Sequence, residues 1–210
     1  MAGILDLLNG PLGKTLIQGV SQQFSMDEGT TQKALGTAMP LILGAMKNNA
    51  STTDGATGLL GALNKENHNG GIMDSLTSIL GGSNVDDNVM QDGAGILGHV
   101  FGGKENNVAQ AVSKSSGIDL GSAMNILKVA APVLMGALGK QAKSQNVTDQ
   151  NGLGSLLGGM LGNGEQEQQS LVSKLLDADG DGSIIDDVAG MLMGGGKKGG
   201  LGSLLGNFLK

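Results

Sequence analysis

Three aspartates at alternate positions, between residues 177 and 181, have the side-chain type and the spacing of cation ligands. They begin the stretch "DADGDGSIIDDV", in which Asp177, Asp179 and Asp181 occupy positions 1, 3 and 5 of an EF-hand type loop. Gly182 follows at position 6, where such a loop turns sharply, and Ser183 at position 7 would offer its backbone carbonyl. Three like charges within five residues repel one another unless a cation lies between them. The pattern therefore predicts a calcium site.

The loop departs from the calcium pattern where it should close. Position 12 is Val188, although a bidentate Glu is the usual ligand there. Asp186 and Asp187 could replace it only if the loop closes one or two residues early. In the alternative interpretation Ser183 caps a helix, and Asp186 and Asp187 interact favourably with the positive N-terminal end of that helix. This interpretation does not explain the three alternating aspartates. We expect one weakly bound structural calcium ion, with the ligand set Asp177, Asp179, Asp181, Ser183, Asp186 and Asp187.

Two glycine–lysine segments resemble phosphate-binding loops without meeting their requirements. "GHVFGGKE" (Gly98–Glu105) has the GxxxxGK spacing, but a Glu follows where Ser or Thr must reach magnesium. "LNGPLGKT" (Leu8–Thr15) has the final GKT and lacks the first glycine. Neither segment follows a predicted strand, which is the context in which this loop binds phosphate. We interpret both as helix ends and predict no nucleotide site.

The other polar residues define no catalytic group. The chain has no Cys, and His68 and His99 stand 31 positions apart, which does not predict a zinc site. We expect His68 in a polar loop and His99 at a helix end or partly buried. No Ser lies in a GxSxG motif. The sequence therefore predicts a protein that is not an enzyme.

Charge and hydrophobicity restrict the partners and the location. A net charge of −6 argues against nucleic-acid binding, which needs a basic surface. The N-terminal "MAGILDLLNG" lacks the basic region and the long apolar run of a signal peptide. The longest apolar candidate, Ala34–Met46, is too short to span a bilayer. We expect a cytoplasmic protein.

A duplication organises the elements that precede the acidic loop. The segments "GVSQQFSMDEGTTQKALGTAMPLILGAMKNNA" and "AVSKSSGIDLGSAMNILKVAAPVLMGALGKQA" align without gaps at a shift of 92 residues (132 − 40). This shift superposes Pro40 on Pro132 and Asp27 on Asp119. Apolar residues recur at three- and four-residue spacing in both copies, which predicts helices and no sheet. The copies are expected to pack together around one core.

Local signals predict where these helices begin and bend. Ser25 followed by Glu28 has the pattern of a capping box, and Asp119 stands at the N-cap position of the second copy. Pro40 and Pro132 lie inside the apolar runs, where each removes a backbone donor, so we predict a kink or a break at each. Because aromatic residues make up only 1% of the chain, the core must consist of Leu, Ile, Val, Ala and Met.

Short segments in which two apolar residues are followed by glycine, such as "LLGAL" and "LLGGM", recur along the chain. They are interpreted as short helices whose glycine permits close packing or ends the helix. The alternative is a membrane-surface or self-association stripe, for which the tail Gly194–Lys210, with Lys197 and Lys198, is the segment of suitable charge. The Leu and Met content further suggests an apolar helical surface for a protein partner.

Several segments resemble the bacterial domain-of-unknown-function family 937, which includes YidB-like proteins. They are "ILGHVFGGKENNVAQAVSKSSGID" (Ile96–Asp119), "AAPVLMGALGKQ" (Ala130–Gln141) and the acidic stretch "LLDADGDGSIIDDVAGML" (Leu175–Leu192). The resemblance implies a bacterial, cytosolic, all-helical protein. It implies no activity and transfers no functional residue beyond the pattern of loop aspartates.

Together these observations predict an all-α protein of about ten short helices. Residues 1–165 would form a duplicated helical domain, with copies at about 11–64 and 103–163, followed by an EF-hand-like helix-loop-helix at 166–195 and a flexible Gly/Lys-rich tail at 196–210. The predicted function is a non-enzymatic interaction or scaffold protein that binds a protein partner or itself, with calcium as its structural ion. The alternative function is a peripheral membrane protein.

Overall fold

The computed structural model describes residues 3–64 and 87–162, and every regular element in these two ranges is an α-helix. The all-α class is therefore confirmed for the described residues. In chain order the helices are α1 (Ile4–Asn9), α2 (Pro11–Gln23), α3 (Glu28–Asn49), α4 (Thr53–Leu63), α5 (Asp87–Phe101), α6 (Glu105–Ser116), α7 (Leu120–Ser144) and α8 (Gln150–Leu161).

The two long helices, α3 and α7, form the centre of the fold. They contact each other, α5 and α6 pack against both, and α1 and α2 pack against α3. Helix α7 is buried continuously from Val129 to Gly139. The surrounding core consists of Leu, Ile, Val, Ala and Met, with Phe101 as the buried aromatic residue of the described ranges. The prediction of an aliphatic core is confirmed for this part of the chain.

The described methionines do not form an exposed surface, and this part of the expectation is wrong. Met39, Met46, Met135 and Met160 are buried in the core. Met26, Met90 and Met124 are half-buried and pack against it. Because the chain has few aromatic residues, these flexible side chains fill the core instead.

The prolines do not break their helices, so of the predicted kink or break the break is wrong. Helix α3 runs through Pro40 for 22 residues, and α7 runs through Pro132 for 25, so neither is a short helix. A proline removes one intrahelical hydrogen bond at a cost of about 3 kcal/mol. Burial of the flanking turns against neighbouring helices outweighs that local cost.

The backbone carbonyl that loses its helical donor at Pro132 has a neighbour on α5. Position 132 has no N–H, so the carbonyl of Lys128, four residues earlier, receives no helical hydrogen bond there. The backbone of Gly93 lies against this carbonyl so closely that a Cβ atom at residue 93 would be 1.9 Å from its oxygen. Helix α5 packs extensively on α7, and a glycine at the crossing makes that approach geometrically feasible.

Helices α2 and α6 end in the same kind of turn. At the end of α2 the N–H of Met26 donates to the carbonyl of Ser21 (2.9 Å). At the end of α6, 92 positions later, the N–H of Ile118 donates to the carbonyl of Ser113 (3.2 Å). The residue before each donor is left-handed, with φ 51° at Ser25 and 76° at Gly117. This arrangement is a Schellman motif, in which the left-handed position usually holds glycine.

The next helix begins after an aspartate in both cases. Asp27 accepts a hydrogen bond from the N–H of Thr30 (2.8 Å), and Asp119 accepts one from the N–H of Ser122 (3.0 Å). The prediction for Asp119 is confirmed, whereas the predicted capping box starting at Ser25 is wrong because Ser25 ends α2 instead. Asp27, two residues after Ser25, caps α3 instead. Its backbone is extended, which places its carboxylate beside the free N–H groups of the first turn of α3.

Candidate functional site

The predicted calcium ligands lie outside the described residues. These are Asp177, Asp179, Asp181, Ser183, Asp186 and Asp187. Within residues 3–64 and 87–162, no three His, Asp or Glu side chains form a group that could hold a metal ion. The calcium site therefore stays a prediction.

A cleft of about 180 Å3 lies between the C-terminal ends of α3 and α5. Its walls are Ala45, Asn48, Asn49, His99, Val100, Phe101 and Gly102. The Asn49 side-chain amide donates to the Val100 carbonyl at 2.9 Å and to the His99 carbonyl at 3.4 Å. These bonds satisfy carbonyls that the end of α5 leaves without helical donors. The amide therefore joins the two helix ends.

His99 lies in the last turn of α5, so the expectation of a helix-end position is confirmed. Its side chain is exposed, and the ring nitrogen Nδ1 is 2.9 Å from the carbonyl of Gly95. In the neutral ring this contact places the proton on Nδ1, so Nε2 is an acceptor. His68 lies outside the described residues.

Both glycine–lysine segments are helix ends, as predicted. Gly98–Glu105 covers the end of α5 and the start of α6, and the intervening Gly102 and Gly103 have φ of 59° and 89°. Leu8–Thr15 covers the end of α1 and the first turn of α2. No strand precedes either segment in the described chain, so neither has the strand–loop–helix context of a phosphate loop.

Two of the aspartates that cap helices, Asp27 and Asp119, have pKa values below the usual range for this side chain. The hydroxyl of Thr30, and then its backbone N–H, lower the pKa of Asp27. Ser122 lowers the pKa of Asp119 in the same way, first through its hydroxyl and then through its N–H. Both carboxylates are thereby held in the charged form that caps a helix, which is a structural role.

Helices α4 and α8 contact each other, and each carries two open glycines; these four positions are here termed the α4–α8 face. It comprises Gly58 and Gly61 of α4 with Gly154 and Gly158 of α8. A Cβ atom added at any of these four positions would meet no described atom within 4 Å. The half-buried side chains of Leu59, Leu60, Ala62 and Leu161 belong to the same two helices and pack against the core.

Helix α7 has the length and composition of a membrane-spanning segment, with a mean hydropathy of 1.4 over its most apolar window. However, 67% of that window is buried inside the protein, as expected for a core helix. The Gly194–Lys210 tail, on which the membrane alternative depends, lies outside the described residues.

Comparison with known protein families places the chain in one of them. The model of the bacterial protein family of unknown function DUF937 matches residues 6–141 and 144–209. The chain belongs to the DUF937 family. The resemblance of three segments to DUF937 proteins is thus confirmed over nearly the whole chain. No curated protein and no solved structure matches it, and DUF937 membership assigns no activity.

Proposed function

We propose that this DUF937 protein is a non-enzymatic helical interaction protein that self-associates through its α4–α8 face. The observation that supports the proposal is the set of four glycines that face open space in two adjoining helices of the described chain. A glycine inside a helix costs roughly 1 kcal/mol relative to alanine. Four such positions therefore lower the stability of α4 and α8 by several kcal/mol relative to alanine. A contact that larger residues would prevent could offset this cost.

Close approach of another helix backbone is such a contact. The distance between packed helices depends on the side chains at the crossing and is smallest where these are glycines. Gly58 and Gly61 are three residues apart, and Gly154 and Gly158 are four apart, so each pair lies along one side of its helix. In a self-associated form these two strips would contact the same strips of a second copy.

Sedimentation equilibrium tests this proposal with arginine substitutions. Gly61→Arg with Gly158→Arg places two long cations on the α4–α8 face, and we expect at least a tenfold weaker dimer, which corresponds to about 1.4 kcal/mol. Gly95→Arg is the matched control, because Gly95 is also an open helical glycine but lies on α5. A wild-type protein that stays monomeric up to about 1 mM, equivalent to less than about 4 kcal/mol of association energy, contradicts the proposal.

We also propose one structural calcium ion in the loop that begins at Asp177. The alternating aspartates support it, since they offer oxygen ligands from one short segment. Calcium is expected to raise the melting temperature, and Asp177→Ala with Asp181→Ala is expected to abolish the rise, because binding to the folded state alone stabilises it. Asp54→Ala with Asp87→Ala removes two charges elsewhere and should preserve it. Titration calorimetry without heat at millimolar calcium, together with an unchanged melting temperature, would exclude the site.

We propose that the fold consists of two duplicated helical units related by a shift of 92 residues. The duplication is supported by the shared left-handed turns, the shared aspartate caps and the internal prolines, all of which recur at the shift of 92 residues. Helix α4 contacts α7, and α8 contacts α3, so the last helix of each proposed copy packs on the long helix of the other. Each copy thereby completes the core of the other, which would make the two interdependent for stability.

A further inference from the structure

The side of α8 that faces the core fills a groove formed by three other helices. Helix α8 contacts α3, α4 and α7. Its core-facing side chains are at most 2% exposed, and they are Leu153, Leu156, Leu157 and Met160. Their spacing of three, four and seven residues places them on one side of the helix. The space that these four side chains fill is here termed the α8 groove.

The sequence of α8 recurs in the tail of the chain. At a shift of 48 residues (200 − 152), "GLGSLLGGML" (residues 152–161) aligns without gaps with "GLGSLLGNFL" (residues 200–209, here termed the tail segment), and eight of the ten residues are identical. One difference, Phe208 for Met160, exchanges two large apolar side chains. The other, Asn207 for Gly159, falls on a position that is only half-buried in α8. The tail segment therefore has the apolar periodicity of α8.

We propose that the tail segment docks in the α8 groove as an alternative to α8. The three leucines that α8 buries in the groove have counterparts in the tail segment, namely Leu201, Leu204 and Leu205. The fit between packed helices is set by the side chains at their contact, and here these leucines are the same in both segments. The walls of α3, α4 and α7 that accept α8 thus suit the tail segment as well.

The chain is long enough for this exchange within one molecule. Position 200 lies 38 residues (200 − 162) after the end of the described chain, and an extended chain of that length reaches about 125 Å. Helix α8 has 12 residues and is about 18 Å long, so the tail segment reaches the groove with chain to spare. A tethered segment has an effective concentration of about millimolar, which exceeds that of a second copy at ordinary protein concentrations. The exchange needs no second copy and does not depend on self-association.

Two features favour α8 over the tail segment in the described fold. The Asp149 carboxylate accepts a hydrogen bond from the N–H of Gly152 (2.7 Å) and caps α8, whereas the tail has Lys197 at the corresponding position. A lysine cannot accept this bond, and its charge is unfavourable near the positive end of a helix. Only residues 145–149 separate α8 from α7, so α8 also has the shorter tether. Helix α8 is therefore the main occupant and the tail segment its competitor.

The exchange releases α8 without opening the core. The tail segment covers the same apolar walls, and Gly202 and Gly206 take the positions of Gly154 and Gly158. The apolar side of α8 then becomes available to a partner. An interaction protein gains in this way a helix that binds elsewhere while its own core stays closed.

A double-mutant cycle in the full chain tests the proposal. Leu156→Asp with Leu157→Asp excludes α8 from the groove, because it would bury two carboxylates. We expect this variant to stay folded, since the natural tail segment takes the place of α8. Adding Leu204→Asp with Leu205→Asp should then lower its folding equilibrium constant by at least about tenfold. The same tail substitutions beside a natural α8 should change that constant by less than about twofold, as at a surface site.

Urea unfolding of the four chains measures these constants. Additive effects of the α8 and tail substitutions would overturn the proposal, because additivity means that the two segments do not share a site. An α8 variant that is unfolded with its natural tail would overturn it too.

Cross-linking locates the tail segment directly, since the natural chain has no cysteine. Residue 198 corresponds to Gln150, whose amide donates to the carbonyl of Ser51 at 2.9 Å. Ser51→Cys with Lys198→Cys should therefore react with a short bismaleimide within one chain when the tail segment is docked. The intramolecular product should form about tenfold faster in the Leu156→Asp, Leu157→Asp background than beside a natural α8.

Adding the two tail aspartates to that background should return the cross-linking rate to the lower value. Equal rates with the natural and the substituted α8 would contradict the exchange. Cross-links between chains as the main product would assign the groove to the tail of a second copy and overturn intramolecular docking.

Discussion

Ser25 and Gly117 both have left-handed backbone conformations at equivalent positions. Glycine adopts this conformation more readily than serine does. Both residues lie between a helix and the aspartate that caps the next helix. The left-handed region brings a Cβ atom too close to the following carbonyl oxygen, at a cost of about 1–2 kcal/mol, and glycine avoids this contact. At the residue scale, the turn after α2 is therefore the less favourable of the two.

Ser25→Gly is expected to stabilise the protein by about 0.5–1 kcal/mol. The relief of backbone strain exceeds the entropy that glycine adds to the unfolded chain, which is about 0.4–1 kcal/mol. Gly117→Ser is the reciprocal change and should destabilise by a similar amount. Urea unfolding at one pH measures both, and a destabilising Ser25→Gly would refute this account of the turn.

At the scale of the elements, the interface between α5 and α7 depends on the absence of one side chain. Gly93 is buried at the crossing, whereas Gly95, two residues later, faces open space among the described atoms. The same residue type thus has two functions in one helix. At residue 93 it permits close backbone approach, and at residue 95 it only weakens the helix.

Gly93→Ala is expected to destabilise the protein by about 3 kcal/mol, the upper end for overpacking, because the new methyl group would overlap the Lys128 carbonyl oxygen unless α5 moves. Gly95→Ala is the control, and it should stabilise by up to about 1 kcal/mol through helix propensity. Chemical denaturation of both variants measures the difference. Equal effects at the two positions would show that α5 does not pack on α7 in this way.

At the scale of the whole molecule, the fold is held together by contacts between segments that are distant in sequence. The amide of Gln150, at the start of α8, donates to the carbonyls of Ala50 (3.2 Å) and Ser51 (2.9 Å) in the turn before α4. The Asn49 amide similarly joins the end of α3 to the end of α5. Since each proposed copy contributes to these contacts, we expect the described helices to unfold together.

Stability is expected to fall in acid as the N-cap residues Asp27 and Asp119 become protonated. Their folded pKa values lie below the ordinary 3.8, so they stabilise the protein above that pH, and this contribution is lost as pH falls through the lower folded values. Asp27→Asn with Asp119→Asn keeps a neutral cap but removes this dependence. Urea unfolding should show the variant to be less stable than wild type at about pH 6, with a smaller deficit at about pH 3, below the ordinary 3.8. Asp54→Asn controls for the loss of an exposed charge, and an equal deficit of the double variant at both pH values would contradict the prediction.

Features that depend on local chemistry and composition could be predicted before the fold was known. Helical periodicity predicted an all-α chain, and the scarcity of aromatic residues required an aliphatic core. Asp119 could be recognised as a cap because its position precedes the apolar run directly. The glycine–lysine segments could be interpreted as helix ends because no strand was predicted before them. The DUF937 resemblance also depended on sequence alone.

Features that depend on what lies opposite a residue became apparent only from the folded chain. Local rules predicted a kink or a break at Pro40 and Pro132 and a cap at Ser25. Burial of the flanking turns keeps both helices continuous, and Asp27 provides the cap. The sequence does not distinguish Gly93 from Gly95, because the Lys128 carbonyl that separates their roles is distant in sequence. Backbone capping and periodicity are local interactions, whereas packing is set by neighbours that become adjacent only after the chain has folded.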